Sequence, residues 1–321
     1  MSGVLWEETG LLARQSAVRA CWSQWVGMGS LASQSGSRAR SIIDPEALIL
    51  LSLYAQEEER RLLDMVAWWA KVGSRLTSLQ RLRAVAKRFP GDTGNLGLGL
   101  FASFATEAGD RRWAKHAKRS TPDLARHGKG PDGPILIEAS ALWPRLRAAF
   151  GVGAKADTLV FLLGLRGAWA STKVISFATG YSSVAIRKAA SDMALARLIR
   201  ETGGRPVEYL ASPRAWAEVL ELYPTDQGPP AEPQAPAWRF WSEIFAFLVS
   251  VIEWSHFAQS TSQESPHVAA SRARDIIERH TLSFNFNGIL TPPMDAFRGL
   301  EAMRGLRETV RVVSEWIDSN V

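Results

Sequence analysis

"STKVISFATGYSSVAIRKAASDMALARLI" occupies residues 171–199 and predicts two short helices separated by a turn at Thr179-Gly180-Tyr181. Gly180 suits this turn because glycine readily adopts the left-handed backbone conformation that bends a chain sharply. Ser176, four residues before Gly180, is small, as is required where two helices cross closely. The segment therefore predicts a helix-turn-helix unit.

Hydroxyl side chains stand at the start of each helix, where they can accept a hydrogen bond from a free backbone amide. Ser171 or Thr172 is expected to cap the first helix, and Ser182 or Ser183 the second. The residues expected to face a core are Val174 and Ile175 on the first helix, and Ile186, Ala189, Ala190 and Met193 on the second. The last four follow the spacing of an amphipathic helix.

The opposite face of the second helix is polar and cationic. Its expected members are Ser183, Val184, Arg187, Lys188 and Ser191. The major groove of DNA admits one helix, whose short polar and cationic side chains contact base edges and phosphates. Val184 has no core role in this register, and its position fits contact with a thymine methyl group.

Residues 200–211 follow the second helix and predict a β-hairpin. Its turn is Thr202-Gly203-Gly204-Arg205, and its second strand carries alternating apolar residues at Val207, Tyr209 and Ala211. Arg205 at the tip is expected to contact a phosphate or the adjacent minor groove. The apolar stretch 156–165 supplies a preceding helix.

Residues 155–212 resemble the winged helix-turn-helix domain of bacterial transcription regulators. The resemblance is carried by "ATGYSSVAIRKAASDMALARLIRETGGRPVEYLAS", residues 178–212, which has the order and spacing of that family's turn, recognition helix and wing. Ser176 departs from the family pattern, where alanine is more usual, but its volume is close. The resemblance implies sequence-specific binding of double-stranded DNA, with residues 182–199 in the major groove and the wing at 200–211 on the backbone. The candidate DNA-binding residues are Lys173, Tyr181, Ser182, Ser183, Val184, Arg187, Lys188, Ser191 and Arg205.

A different function stays open at this point. Winged helices also serve as protein-interaction modules, here within a toxin–antitoxin or defence-system assembly, and a helix-turn-helix is a common fragment of helical cores. The turn, the caps, the amphipathic register and the hairpin all agree with one another, which favours the winged helix.

The flanking regions show helical periodicity without a family signature. The predicted organisation is an N-terminal helical domain at 1–108, a basic linker or loop at 109–134, the winged helix-turn-helix domain at 135–222, a proline-rich linker at 223–237 and a C-terminal helical region at 238–321. Asp44-Pro45-Glu46 is typical of a helix start. The fold class is thus mainly α, with a small β-hairpin wing, and the flanking helices are expected to form a homodimer interface or a sensing module.

Positive charge is concentrated in the middle of the chain. The formal net charge is +6, yet residues 111–130 hold seven bases against one acid, and residues 166–214 hold eight against three. Such clustering is expected where a protein meets a polyanion. The stretch 111–130, which includes Trp113, is interpreted either as a second phosphate contact or as a solvated loop.

Other kinds of site lack support. The pattern Gly-x-Gly-x-x-Ala at residues 97–102 has no hydrophobic strand before it, as a dinucleotide-binding turn requires. Three histidines at 256, 267 and 280 are too far apart for one helix-borne metal site, and Glu57-Glu58-Glu59 adjoins two arginines as a solvated turn would. We therefore expect no enzyme activity, no cofactor and no metal.

The single cysteine, Cys21, excludes an internal disulfide and fits a reducing compartment. The most apolar stretch, residues 244–254, is too short to cross a bilayer. A cytoplasmic protein with double-stranded DNA as its partner, and without membrane association, is the resulting expectation.

Overall fold

A computed structural model describes residues 3–30, 39–118, 130–222, 234–261 and 265–321. The chain is mainly helical and carries one small three-stranded antiparallel sheet, so the predicted fold class is confirmed at this level. The predicted basic stretch 111–130 and proline-rich linker 223–237 fall partly outside the described residues.

Among the described residues, the first part of the chain folds as five α-helices. These are α1 (Gly3–Gly27), α2 (Pro45–Ala55), α3 (Arg61–Val72), α4 (Leu79–Ala86) and α5 (Thr93–Glu107). The predicted start of α2 is confirmed, because a carboxylate oxygen of Asp44 accepts a hydrogen bond from the Ala47 amide at 3.1 Å. The Ser78 hydroxyl caps α4 in the same way, accepting from the Arg81 amide at 3.2 Å.

The central part combines short helices with the sheet. Its elements are α6 (Leu142–Phe150), α7 (Ala154–Gly164), β1 (Ala170–Ser171), α8 (Thr172–Thr179), α9 (Ser183–Leu195), β2 (Arg200–Glu201), β3 (Glu208–Leu210) and α10 (Pro213–Trp216). The strand order is β1-β3-β2. These elements surround a core of their own, which we call the central domain.

Three long helices complete the chain: α11 (Trp241–Thr261), α12 (Pro266–Asn287) and α13 (Ala302–Asn320). They share one hydrophobic core with α1–α5, and α1 packs directly against α11 and α13. The N-terminal and C-terminal helical regions, which the sequence analysis divides into two, thus pack as one unit. We call α1–α5 with α11–α13 the helical body.

Two adjacent backbone segments lie where the helical body meets the central domain, one between α1 and α2 and the other leading from the central domain back to α11. Ser41 and Ala237 form a parallel bridge, and the Trp238 amide donates to the Gly164 carbonyl at 3.0 Å. The Ile42 side chain, from the segment between α1 and α2, packs into the core of the central domain, as do Trp238 and Phe240 on the segment that leads back to α11. The central domain is therefore an insertion between α5 and α11 of the body, and the segment by which the chain returns to the body is fixed against residues 41 and 42.

The described part of the basic stretch does not form an exposed loop throughout. Residues Arg111–His116 form a 3-10 helix against α5. The Trp113 ring is fully buried and contacts the Phe101 ring edge-on, with ring centroids 4.9 Å apart. At this position the tryptophan therefore anchors the segment to the helical body.

Five buried charged side chains join the two units. Arg147 of α6 forms ion pairs with Glu46 of α2 at 2.5 Å and with Asp157 of α7 at 2.8 Å. Arg81 of α4 pairs with Glu46 at 3.4 Å and also with Asp44. Every member is at most 2% exposed. Because three carboxylates face two guanidinium groups, the fully ionised cluster holds one excess negative charge.

Candidate nucleic-acid interface

The predicted turn between the two central helices is present. Gly180 has φ = 78°, in the left-handed region, and its amide donates to the Ser176 carbonyl at 2.9 Å. The Ser176 hydroxyl donates to the Tyr181 carbonyl at 2.6 Å, across the turn. A small polar residue at 176 thus ties the end of α8 to the residue that leads into α9.

Of the alternative caps left open by the sequence, the structure selects the first at each helix. The Ser171 hydroxyl accepts from the Val174 amide at 3.5 Å, and the Ser182 hydroxyl accepts from the Ala185 amide at 3.3 Å. Ser183 is therefore the first helical residue of α9, and its side chain remains exposed.

The predicted inner face of α9 is confirmed. Its buried residues are Ile186, Ala189, Ala190 and Met193. On α8 the prediction holds for Ile175, which is fully buried, and is wrong for Val174, which is 38% exposed. Val174 lies about 100° around the helix axis from Ile175, and on α8 this step takes it to the solvent side.

The outer face of α9 carries the five residues expected there. They are Ser183, Val184, Arg187, Lys188 and Ser191, all exposed. Val184 is 74% exposed, although its side chain is apolar. The helix packs on its other side against α7, α8 and β2. This face therefore stands open to an external partner.

The end of α9 differs from the prediction, which extended this helix to residue 199. The helix ends at Leu195, and Arg197 adopts a left-handed conformation with φ = 60°. The Leu198 amide donates to the Met193 carbonyl at 2.9 Å, and the Arg197 amide donates to the Ala194 carbonyl at the same distance. This is the Schellman arrangement, which here lacks its usual glycine and so gives no sequence signal.

The sheet has one strand more than the predicted hairpin. β3 pairs with β2, with Arg200 opposite Leu210, and on its other edge with β1, with Ala170 opposite Tyr209. Residues 202–207 form the connecting loop, closed by a hydrogen bond from the Thr202 amide to the Glu208 carbonyl at 3.0 Å. The Arg205 side chain on this loop is exposed, as predicted.

Tyr181 does not lie on the exposed face, so the structure corrects its assignment as a DNA-binding residue. Its side chain is 8% exposed, and its hydroxyl lies 3.3 Å from the Ser78 hydroxyl at the start of α4. Burial raises the pKa of Tyr181 to about 12. The ring packs in the central core because its preceding glycine turns it inward. Lys173 and Ser182 are exposed as expected.

Two arginines, Arg81 of α4 and Arg88 two residues past its end, hold the end of α8, and sequence reasoning missed both. Arg81 donates to the Ala178 carbonyl at 3.1 Å, and Arg88 donates to the Phe177 carbonyl at 3.2 Å. The last carbonyls of a helix have no partner within it and carry partial negative charge, so cations there are stabilising. A signal was available, since residues 71–88 contain six bases and no acid.

Within the described ranges, no group of three or more histidine, cysteine, aspartate or glutamate side chains is arranged to hold a metal ion. A search of those same residues found no helix with the length and apolar character needed to span a bilayer.

Comparison of the chain with models of protein families, with curated proteins and with solved structures finds no match.

Proposed function

We propose that this protein is a sequence-specific, double-stranded DNA-binding transcription regulator. In this proposal α9 enters the major groove and the loop 202–207 contacts the phosphate backbone. The observation that carries the proposal is the outer face of α9, where short polar side chains occupy the first turn and Arg187 and Lys188 follow one turn later, all exposed. This distribution matches what a groove-binding helix needs.

The order of elements supports the same function. A helix, a short strand, two helices and a two-stranded ribbon follow one another as α7, β1, α8, α9 and the pair β2–β3. This is the order of a winged helix, in which the helix after the turn is the recognition helix and the ribbon is the wing. The helix that enters DNA in that arrangement corresponds to α9.

The charge around α9 also favours a polyanionic partner. Residues 171–214 contain seven bases and three acids. Asp192, the acid on α9, forms an ion pair with Lys155 at 2.9 Å. Both groups are about half exposed, so the pair is weak, but it reduces the repulsion that Asp192 would exert on phosphate. We infer that the net field of this surface attracts DNA.

A homodimer is part of the proposal. One small module contacts few base pairs, and a two-fold symmetric protein gains affinity and specificity from two half-sites. The helical body is then the part that brings two α9 helices into a fixed spacing.

The test is a salt-titrated binding assay on duplex DNA from upstream of the protein's own gene, with unrelated duplex as competitor. The double variant Arg187→Ala, Lys188→Ala is expected to bind tens-fold more weakly at 0.1 M salt, and its log–log salt slope to fall by about 2 if both cations contact phosphate. The control removes two cations from α13, as Arg304→Ala with Arg307→Ala, and leaves the net charge the same as in the test variant.

Absence of duplex binding at any salt concentration would overturn the proposal. If the same double variant instead abolished capture of a protein partner, the alternative of a protein-interaction module would replace it.

A further inference from the structure

The short helix α4 of the helical body lies directly beside the turn of the central domain. Arg81 and Ala84 of α4 lie on the side that faces this turn, and Arg81, together with Arg88 two residues past the end of the helix, holds the end of α8. Ala84 lies between them, and a methyl group added at Gly180 would be 3.5 Å from the Ala84 Cβ. The body and the helix-turn-helix are thus in contact at the residue two positions before the cap of α9.

The next face of α4 is exposed and cationic. Residues 80, 83 and 87 follow helical spacing and lie around the axis next to Ala84, since successive residues are about 100° apart. They are Gln80, Arg83 and Lys87, all exposed. The opposite face of α4, with Leu82, Val85 and Ala86, is buried in the helical body.

The two exposed cations are not committed to partners in the part of the chain that the structure describes, where neither Arg83 nor Lys87 takes part in an ion pair. Arg88, just past the end of the helix, does, pairing with Glu243 at 3.1 Å. Asp92, the nearest acid along the chain, accepts a hydrogen bond from the Asn95 amide group at 2.9 Å. This face therefore presents positive charge that the fold itself does not use.

The contact of α4 with the turn at Gly180 and with the end of α8 places this face close to the segment that leads into α9. Lys87 is three residues from Ala84, or ~4.5 Å along the helix axis. The major groove is about 12 Å wide and is bounded by phosphates on both sides. A helix that enters the groove by its N-terminal end brings the segment just before it close to one of these backbones.

We propose that Arg83 and Lys87 of α4 contact backbone phosphates beside the groove that α9 enters, so that the helical body forms part of the DNA-binding surface. This inference rests on the proposed function. Phosphate contacts position a protein on DNA and carry no sequence information by themselves. The α4 contacts therefore add affinity and fix the angle of approach, while α9 supplies the specificity.

The double variant Arg83→Ala, Lys87→Ala tests the inference in the full chain. Its log–log salt slope for duplex binding is expected to fall by about 2, since each phosphate contact contributes about 0.9. Its affinity is expected to fall by the same factor on the selected sequence and on unrelated duplex. The conservative variant Arg83→Lys, Lys87→Arg retains both charges and is expected to keep the wild-type slope.

The control Arg304→Ala, Arg307→Ala separates local contact from loss of net charge, because it also removes two cations. Thermal unfolding verifies that the α4 variant is folded, as expected for two exposed side chains. An unchanged salt slope in the α4 variant, with a reduced slope in Arg187→Ala, Lys188→Ala, would overturn this inference alone. Failure of the wild-type chain to bind duplex DNA would overturn the proposed function and this inference with it.

Discussion

Arg147 of the central domain and Glu46 of the helical body form an ion pair in which neither side chain is exposed to solvent. The same guanidinium pairs with Asp157 at 2.8 Å and donates to the Leu76 carbonyl at 3.0 Å. One side chain thus joins α2, the end of the 3-10 helix 74–76 and α7. The orientation of the central domain on the body is defined by contacts of this kind rather than by the connecting segments alone.

Removing this guanidinium is expected to destabilise the protein strongly. Arg147→Met leaves Glu46 and Asp157 buried without their main partner, and breaking a buried pair from one side costs about 3–5 kcal/mol. Urea unfolding measures the free energy of unfolding. The control Arg214→Met changes an exposed arginine of α10 and is expected to cost less than ~0.5 kcal/mol. Equal stability of the two variants would contradict this account of the cluster.

The stability conferred by the cluster is expected to depend on pH through Glu46. Burial raises the pKa of Glu46 above its ordinary value of 4.5, and the guanidinium groups of Arg147 and Arg81 offset this only in part. The folded chain therefore binds this proton more tightly than the unfolded chain. The protonated Glu46 carboxyl therefore contributes its full stabilisation below pH 4.5, and this contribution is lost as the pH rises through the raised pKa.

The variant Glu46→Gln removes the pH dependence that arises from Glu46, and it removes the excess negative charge of the buried cluster. The free energy of unfolding of Glu46→Gln minus that of the wild type is expected to increase as the pH rises above 4.5. Urea unfolding of both proteins at a series of pH values measures this difference in the free energy of unfolding. The contributions of the other titrating groups are common to both proteins and cancel. A difference that is constant or decreasing over this range would show that Glu46 is ionised throughout.

Because of the buried ring of His280, we also expect a pH dependence of the free energy of unfolding that has the opposite sign. Its ring packs against the rings of Phe247 and Phe284, and neither ring nitrogen has a hydrogen-bond partner within the described residues. Burial, with a smaller contribution from the charge of Arg279, lowers the pKa of His280 from 6.5 to about 4. The unfolded chain takes up this proton first, so stability is lost as the pH falls from 6.5 through about 4.

His280→Phe is expected to remove that loss, which is on the order of 3 kcal/mol at its full extent. NMR titration of the imidazole gives the pKa in the wild type, and urea unfolding of both proteins gives the pH dependence. A ring that titrates near 6.5 in the folded protein would be incompatible with this prediction.

Replacing Gly180 is expected to lower the free energy of unfolding because of its backbone conformation alone. A methyl group at Gly180 would meet Ala84 at 3.5 Å, an ordinary contact, but φ = 78° is unfavourable for a residue with a Cβ. Gly180→Ala is therefore expected to lower the free energy of unfolding by about 1–2 kcal/mol. Gly180→Asn is expected to lower it by less, because asparagine tolerates this conformation. Gly133→Ala is the control, since Gly133 has open space around it and no positive φ. Thermal unfolding of the three variants provides the comparison.

The sequence predicts the parts of the central domain that depend on neighbours within a few residues. Gly180 marks the turn, Ser182 marks the cap, and the spacing from Ile186 to Met193 marks the buried face of α9; each is a local property and each is present. The exposed positions of Arg187 and Lys188 follow from the same periodicity.

Several features that the sequence did not predict depend on distant partners. β1 has only two residues and exists because β3, far along the chain, pairs with it. Tyr181 was expected at the surface, but the start of α4 covers it. Asp44 and Glu46 have the pattern of a helix start, which is correct, yet their carboxylates also face Arg81 and Arg147. No local pattern contains that information.

The shared core of the helical body also has a consequence for synthesis. Because α11–α13 cover apolar surface on α1–α5, the body cannot close until the last helices have left the ribosome. Ile42 and residues 142–240, which supply the core of the central domain, emerge earlier, so that this core can form while the body is still open. The nascent chain therefore passes through a stage at which a finished central domain is attached to unfinished helices, and this is the stage at which chaperones would be expected to bind.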